Sequence, residues 1–160
     1  MKVIGIIGWK NSGKTFMISE IIKKLKSMNY KVASIKHAHH NFEIDHEHTD
    51  SYIHRKAGSE QVIISSAKRW AKIIELKNSK EKTLKQLLEQ LDKTDYVIVE
   101  GFKNENHPKI EILRVESKSY LYDKISNVVS LISDKKIDTN LPQFKKKEID
   151  LIINFILNEI

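Results

Sequence analysis

Four residues carry the first chemical signal. Gly8, Gly13, Lys14 and Thr15 stand at the fixed positions of G-x-x-x-x-G-K-[ST], in the segment Gly8-Trp9-Lys10-Asn11-Ser12-Gly13-Lys14-Thr15. That pattern suits a polyphosphate. Glycine at its two ends lets the backbone turn where a β-carbon would resist. Successive N–H groups, those of Asn11 and Ser12 among them, then point inward at phosphate oxygens. A helix beginning near Lys14 adds its positive dipole end. Lys14 can neutralise the outer phosphates, and Thr15 can offer its hydroxyl to Mg²⁺. The segment therefore predicts a nucleoside triphosphate site. A chance match in a turn is the competing reading, and the flanks argue against it. Lys2 to Ile7 is an apolar run of the kind that forms a buried strand. Ile18, Ile21, Ile22 and Leu25 follow at helical spacing, with Glu20 and Lys24 four apart on the opposite face.

Magnesium needs a further acid. Tyr96-Val97-Ile98-Val99 runs apolar into Glu100, as a Walker B strand does, although aspartate is the more usual residue there. The alternative is a strand-end acid that faces solvent. A third cluster is the stretch from His37 to His54, which holds six of the seven histidines with Asp45, Glu47 and Asp50 among them. It reads first as a switch segment that touches the nucleotide or a bound phosphorylated ligand, with Asp45 or Asp50 reaching the magnesium shell. It reads second as a solvated loop. Third comes a transition-metal site, since imidazole and carboxylate suit zinc or nickel, but the spacing matches no compact motif such as H-E-x-x-H.

The elements that must position these groups are legible as alternating strands and helices. Lys31 to Lys36 predicts a second strand, so that strand–helix–strand makes a βαβ unit with parallel strands. Asp50 to Ala57 predicts a short helix, and Thr83 to Leu91 an amphipathic one. Glu60 to Ser65 and Arg69 to Leu76 read as a hairpin about residues 60–76. Asp95 to Glu100 and Asn127 to Ile132 read as buried strands, and Lys109 to Val115 alternates as a further strand. A C-terminal amphipathic helix runs from Ile149 to Ile160, while Asn104 to Pro108 and Asp138 to Pro142 read as surface loops. The expected architecture is one α/β domain over residues 1–160, a P-loop-like, mainly parallel sheet flanked by helices with an added hairpin. The loops after Ile7, Lys36, Glu100 and Ile132 should crowd one sheet edge, where such folds bind ligands.

Composition narrows the function classes. The chain of 160 residues has no cysteine, which removes disulfides and thiolate metal sites and is compatible with the cytoplasm. No apolar run is long enough for a membrane span. The net charge of +7 is built from lysine, with arginine only at Arg55, Arg69 and Arg114. Arginine is the usual reader of phosphates and bases, so the basicity reads as a solvated lysine surface and argues little for nucleic acid.

Taken together, the residues resemble a known family. The phosphate loop is followed in order by Lys36-His37, His39-His40, Phe42, Asp45, Asp50-Ser51, His54-Arg55, Ala57-Gly58, Glu100-Gly101-Phe102-Lys103 and Pro108-Lys109. This resembles molybdopterin-guanine dinucleotide biosynthesis protein B over about the first 115 residues, and from Lys118 onward only loosely. The resemblance implies a P-loop α/β fold and a homodimer built partly through the hairpin. It also implies binding of GTP with Mg²⁺, weak hydrolysis, and assistance to a guanylyltransferase that joins GMP to molybdopterin. By the same resemblance Gly13, Lys14 and Thr15 bind phosphate and magnesium, and Asp45 and Glu100 lie near the metal. The segment from His37 to Arg55, with Phe102 and Lys103, lines the pocket. Two departures stand out: His48 occupies a place where the family has glycine, and Lys136-Ile137-Asp138 lacks the asparagine of N-K-x-D.

Three functions compete on this reading. A GTP-binding accessory protein would hold its nucleotide, since only Arg55 and Arg114 are placed to serve the γ-phosphate and fast turnover needs such a group. A P-loop small-molecule kinase would need lid arginines, which are scarce here. A metal-insertion chaperone would use the histidine cluster, with His39 and His40 as its test.

Overall fold

The computed structural model describes residues 1–38, 42–117 and 119–160; His39, His40, Asn41 and Lys118 lie outside the described residues. The N-terminal apolar run forms β1 (Lys2–Ile7), whose last four residues are all buried. The helical spacing after the loop forms α1 (Lys14–Ser27), which buries Met17, Ile21 and Leu25. It stops where Asn29 takes a left-handed conformation at φ 64°, a common helix end. Glu20 pairs with Lys23 at 2.7 Å rather than with the expected Lys24, whose ammonium reaches Asp150 at 2.6 Å.

Chain order then gives β2 (Val32–Lys36), α2 (Asp50–Lys56), β3 (Gln61–Ser65), β4 (Trp70–Ile74), α3 (Leu84–Leu88), β5 (Tyr96–Glu100), β6 (Lys109–Ile112), β7 (Val128–Ile132), β8 (Gln143–Phe144) and α4 (Ile149–Glu159). The large sheet is parallel throughout, in the order β2-β5-β1-β6-β7-β8. On one face Ile4, Ile6, Ile98, Ile110 and Ile112 pack with Met17 and Ile21 of α1 and with Ile152 and Ile156 of α4. On the other, Leu84 of α3 packs with Val97, Val99 and Phe102. Among the described residues, no helix is long and apolar enough to cross a membrane.

The alternation from Lys109 onward has an unexpected cause. Lys109 and Glu111 are fully buried, as are Ile110 and Ile112 between them. The Lys109 ammonium donates to the carbonyls of His107 and Ser126 at 2.9 and 3.0 Å. The Glu111 carboxylate accepts from the amides of Leu121 and Tyr122 at 2.8–3.0 Å. Backbone partners thus replace the water that a polar strand face would ordinarily meet. His107, expected in a surface loop, is also buried, and neither ring nitrogen has a hydrogen-bond partner among the described residues. β8, within a stretch read partly as loop, is held through the Gln143 side chain, which accepts from the amide and donates to the carbonyl of Ile137.

Two compact units divide the chain, residues 1–37 with 84–160, and residues 38–83. The second contains α2 and the antiparallel hairpin β3–β4, paired from Gln61↔Ile74 to Ser65↔Trp70. Val62 is its buried strand residue, whereas Ile63, Ile64, Trp70 and Ile74 are exposed.

Candidate functional site

The parallel registers bring the strand ends together. Ile6 of β1 and Lys36 of β2 both lie opposite Glu100 of β5, so the segments after these strands leave from one edge. The glycine-lysine loop starts there. Gly8 has φ 149°, and a β-carbon on it would stand 2.5 Å from the Ile112 carbonyl oxygen and 2.7 Å from Ser12 Oγ. Only glycine lets β1 pass this close to β6. Gly13 plays a different part. It caps α1 at φ 96°, and nothing lies within 4 Å of where its β-carbon would be. Its need for glycine is conformational, and the space before the helix is open. No side chain caps α1, and its first turn holds no acid, so the N-terminal amides keep their positive end for a ligand. The Ser12 hydroxyl is buried without a hydrogen-bond partner among the described residues.

Lys14 folds back over the loop, donating to the carbonyls of Gly8 and Trp9 at 3.1 and 2.9 Å. Burial pushes its pKa below the ordinary lysine value; Glu100 acts against that, while Lys103 and Lys36 add to it. Three ammonium groups therefore share this edge with a single influential carboxylate, an environment that favours a polyanion. Glu100 is mostly buried, and Lys36 Nζ lies 3.6 Å from its Oε2. Thr15 is exposed in the first turn of α1.

The tetrapeptide Glu100-Gly101-Phe102-Lys103 has a physical explanation that its composition did not disclose. A β-carbon on Gly101, at φ 94°, would meet the His37 β-carbon at 2.8 Å. Phe102 then turns left-handed at φ 46°, and its ring stacks on His37 with centroids 4.5 Å apart. The ring is buried with Leu84, Val97 and Val99, so Phe102 anchors the edge from beneath. Lys103 reaches the Trp9 ring at 5.5 Å, and Trp9 donates its indole N–H to the Ser119 carbonyl at 3.1 Å.

The other predicted residues belong to the second unit. Asp45 is buried and holds Arg55 through contacts of 2.6 and 3.4 Å, while Glu75 accepts from the same guanidinium at 3.1 Å. The hydrogen bond from Arg55 keeps the Asp45 carboxyl below the usual carboxylate range. These residues line a cavity of about 500 Å³ together with Phe42, Ile44 and Ile73. Among the described residues, no group of three or more histidine and acidic side chains converges as a metal site; His39 and His40 lie outside that description.

A six-stranded parallel sheet with a glycine-lysine loop between its first strand and first helix defines an α/β protein built to present that loop at its carboxyl edge. The family model for molybdopterin guanine dinucleotide synthesis protein B (MobB) matches residues 3–134, and the chain belongs to that family. It is 35% identical over 158 residues to a molybdopterin-guanine dinucleotide biosynthesis adapter protein of Haemophilus influenzae, covering 98% of this chain and 88% of the relative. An Escherichia coli protein of the same description is 29% identical, with 97% and 91% covered. The solved structure of Bacillus subtilis MobB superimposes with a TM-score of 0.79 at 25% identity, covering 100% of this chain and 98% of that one. The Bacillus stearothermophilus homologue shares the fold, with a TM-score of 0.74 at 20% identity over 99% and 97% of the two chains.

Proposed function

We propose that this chain binds GTP with Mg²⁺ at the Gly8–Thr15 loop and acts as an adapter in molybdopterin-guanine dinucleotide biosynthesis, holding the nucleotide more than consuming it. The carrying observation is the uncapped, acid-free start of α1 at Gly13, with Lys14, Lys36 and Lys103 around it. Loop amides and Lys14 would take the phosphates, exchanging the Gly8 and Trp9 carbonyls that Lys14 now holds. Thr15 and Glu100 would hold magnesium, which when bound supplies charge neutralisation between phosphates. The Asp45 carboxylate is already engaged by Arg55 within its own unit. Guanine preference and a guanylyltransferase partner are part of this proposal, supported by a family and relatives described by molybdopterin guanine dinucleotide synthesis.

Slow hydrolysis fits the arginine inventory. Arg55 is committed to Asp45 and Glu75 and Arg69 belongs to the hairpin unit, which leaves Arg114, loosely paired with Glu116, as the one arginine in the unit that carries the loop. Calorimetry of GTP and ATP against wild type and Lys14→Ala, with and without Mg²⁺, tests the reading. Magnesium-dependent GTP binding that the variant loses supports it. ATP bound as tightly, or GTP turned over at tens per second by the isolated protein, refutes it.

The same proposal includes a homodimer formed through the second unit. An isolated two-stranded hairpin is marginal in water, and this one exposes Ile63, Trp70 and Ile74, apolar surface that a second copy would cover. A monomeric mass in light scattering at micromolar concentration would reject that part.

A further inference from the structure

Beside the glycine-lysine loop lies a cavity of about 290 Å³ lined by Trp9, Lys10, Arg114, Glu116, Ser117 and Ser119. We propose that it is a second ligand site, the seat of a planar heterocycle that carries a phosphate. The proposal rests on the reading of the loop as a nucleotide site and names what would sit next to that nucleotide. Three features support it.

The first is the aromatic panel. Trp9 is 44% exposed, yet its position is fixed by the indole hydrogen bond to Ser119 and by the Lys103 ammonium over its ring. An exposed aromatic ring that is held in place loses little freedom when a planar ligand stacks on it.

The second is the charge. Lys10 and Arg114 place two cations on the cavity wall. The Arg114 guanidinium is half exposed and lies beside Glu116, with Nε 3.4 Å from Oε2. Among the described residues its side chain makes no hydrogen bond, so a phosphate competes for the guanidinium fork with one exposed carboxylate alone. The backbone beneath is set by a turn in which Arg114 and Ser117 bond each other, amide to hydroxyl and amide to carbonyl, both at 3.1 Å.

The third is size and position. The volume sits at the lower limit of small-molecule pockets, enough for a ring system and one phosphate and too little for a dinucleotide. The Trp9 carbonyl is also an acceptor for Lys14. Trp9 is itself a residue of the loop between Gly8 and Gly13, so a ligand stacked on it would lie beside the nucleotide phosphates, which is the adjacency an adapter joining two phosphorylated molecules requires.

The chain has two tryptophans, so Trp70→Phe leaves Trp9 as the sole indole reporter. The probe is 6-hydroxymethylpterin monophosphate, followed by quenching of Trp9 emission. The expected result is saturable quenching below about 1 mM, weakened about tenfold or more by Arg114→Ala and by removal of the probe's phosphate. Saturating Mg²⁺–GTP leaves the quenching in place. Competition between GTP and probe would overturn the proposal, because the cavity would then belong to the nucleotide itself. Absence of saturable quenching, or an unchanged Arg114→Ala variant, would also overturn it. Arginine-dependent probe binding by a protein that fails to bind GTP would support this site while rejecting the nucleotide reading, so the two failures are distinguishable.

Discussion

His107 makes a sharp acid-stability prediction. Its ring is 6% exposed and packs beneath Gly5, where a β-carbon would stand 2.5 Å from Nε2. Burial, and then the neighbouring Lys109 charge, push its pKa from 6.5 down to about 4. Between those values the unfolded chain takes up a proton that the folded chain refuses. Stability present at neutral pH is therefore lost as pH falls through this window, and the loss levels off once the folded ring also protonates. The linkage relation gives about 2 kcal/mol lost between pH 7 and pH 5. For a chain of this size that is a fall of about 4–8 °C in melting temperature from this group alone. His107→Leu keeps the approximate volume and removes the titration. Urea unfolding of wild type and variant at both pH values isolates the histidine, because other titrating groups cancel in the difference. The variant should lose about 2 kcal/mol less than wild type on acidification. It should be no less stable at pH 7, since it deletes two buried nitrogens without partners. Equal acid losses in the two proteins would refute the reasoning.

Other substitutions test neighbouring parts of the argument. Gly8→Ala should cost about 3 kcal/mol or more, because overpacking against the Ile112 carbonyl adds to backbone strain; Gly13→Ala, with open space at its β-carbon, should cost about 1–2 kcal/mol, a difference that thermal melts resolve. Glu111→Gln should lose about 1–3 kcal/mol in chemical denaturation, because an amide NH₂ would face the Leu121 and Tyr122 donors that the carboxylate now satisfies. Arg55→Ala should speed limited proteolysis between Phe42 and Thr49 by freeing the buried Asp45 carboxylate, and adding Asp45→Asn should reverse part of the effect; identical cleavage of all three proteins would show that the pair does not hold the segment.

Much of the fold was readable because the relevant signals are local. The apolar runs of β1 and β5 are buried on both faces, and such strands appear in sequence as continuous hydrophobic stretches. The α1 stripe from Ile18 to Leu25 and the hairpin about Ala67 follow equally local rules. What failed depended on distant partners. Lys109, Glu111 and His107 look like solvent-facing residues, and it is the chain at residues 121–126 that completes the bonding of Lys109 and supplies that of Glu111. Local spacing pairs Lys24 with Glu20 four residues away, since nothing local announces Asp150 of α4. Within the site, the loop from Gly8 to Thr15 was complete in the sequence. The reason for Gly101 and Phe102 was not, because it lies in the approach of His37 from another strand. The Trp9–Arg114 cavity joins residues 105 positions apart, and no spacing rule reaches that far.

The strand order also bears on how the chain is made. β5 lies between β1 and β2 and pairs with both. During synthesis β1 and β2 must therefore wait, each without a neighbour, until residue 100 has left the ribosome, and β6, the other partner of β1, comes later still. In the interval the hairpin β3–β4 already has both its strands, since they are adjacent in sequence. The nascent protein thus carries the apolar β1 and the half-buried β2 unpaired while β3 and β4 emerge with their partners at hand. Chaperone dependence should concentrate in that interval, and a stall before β5 emerges would be the most aggregation-prone point of its synthesis.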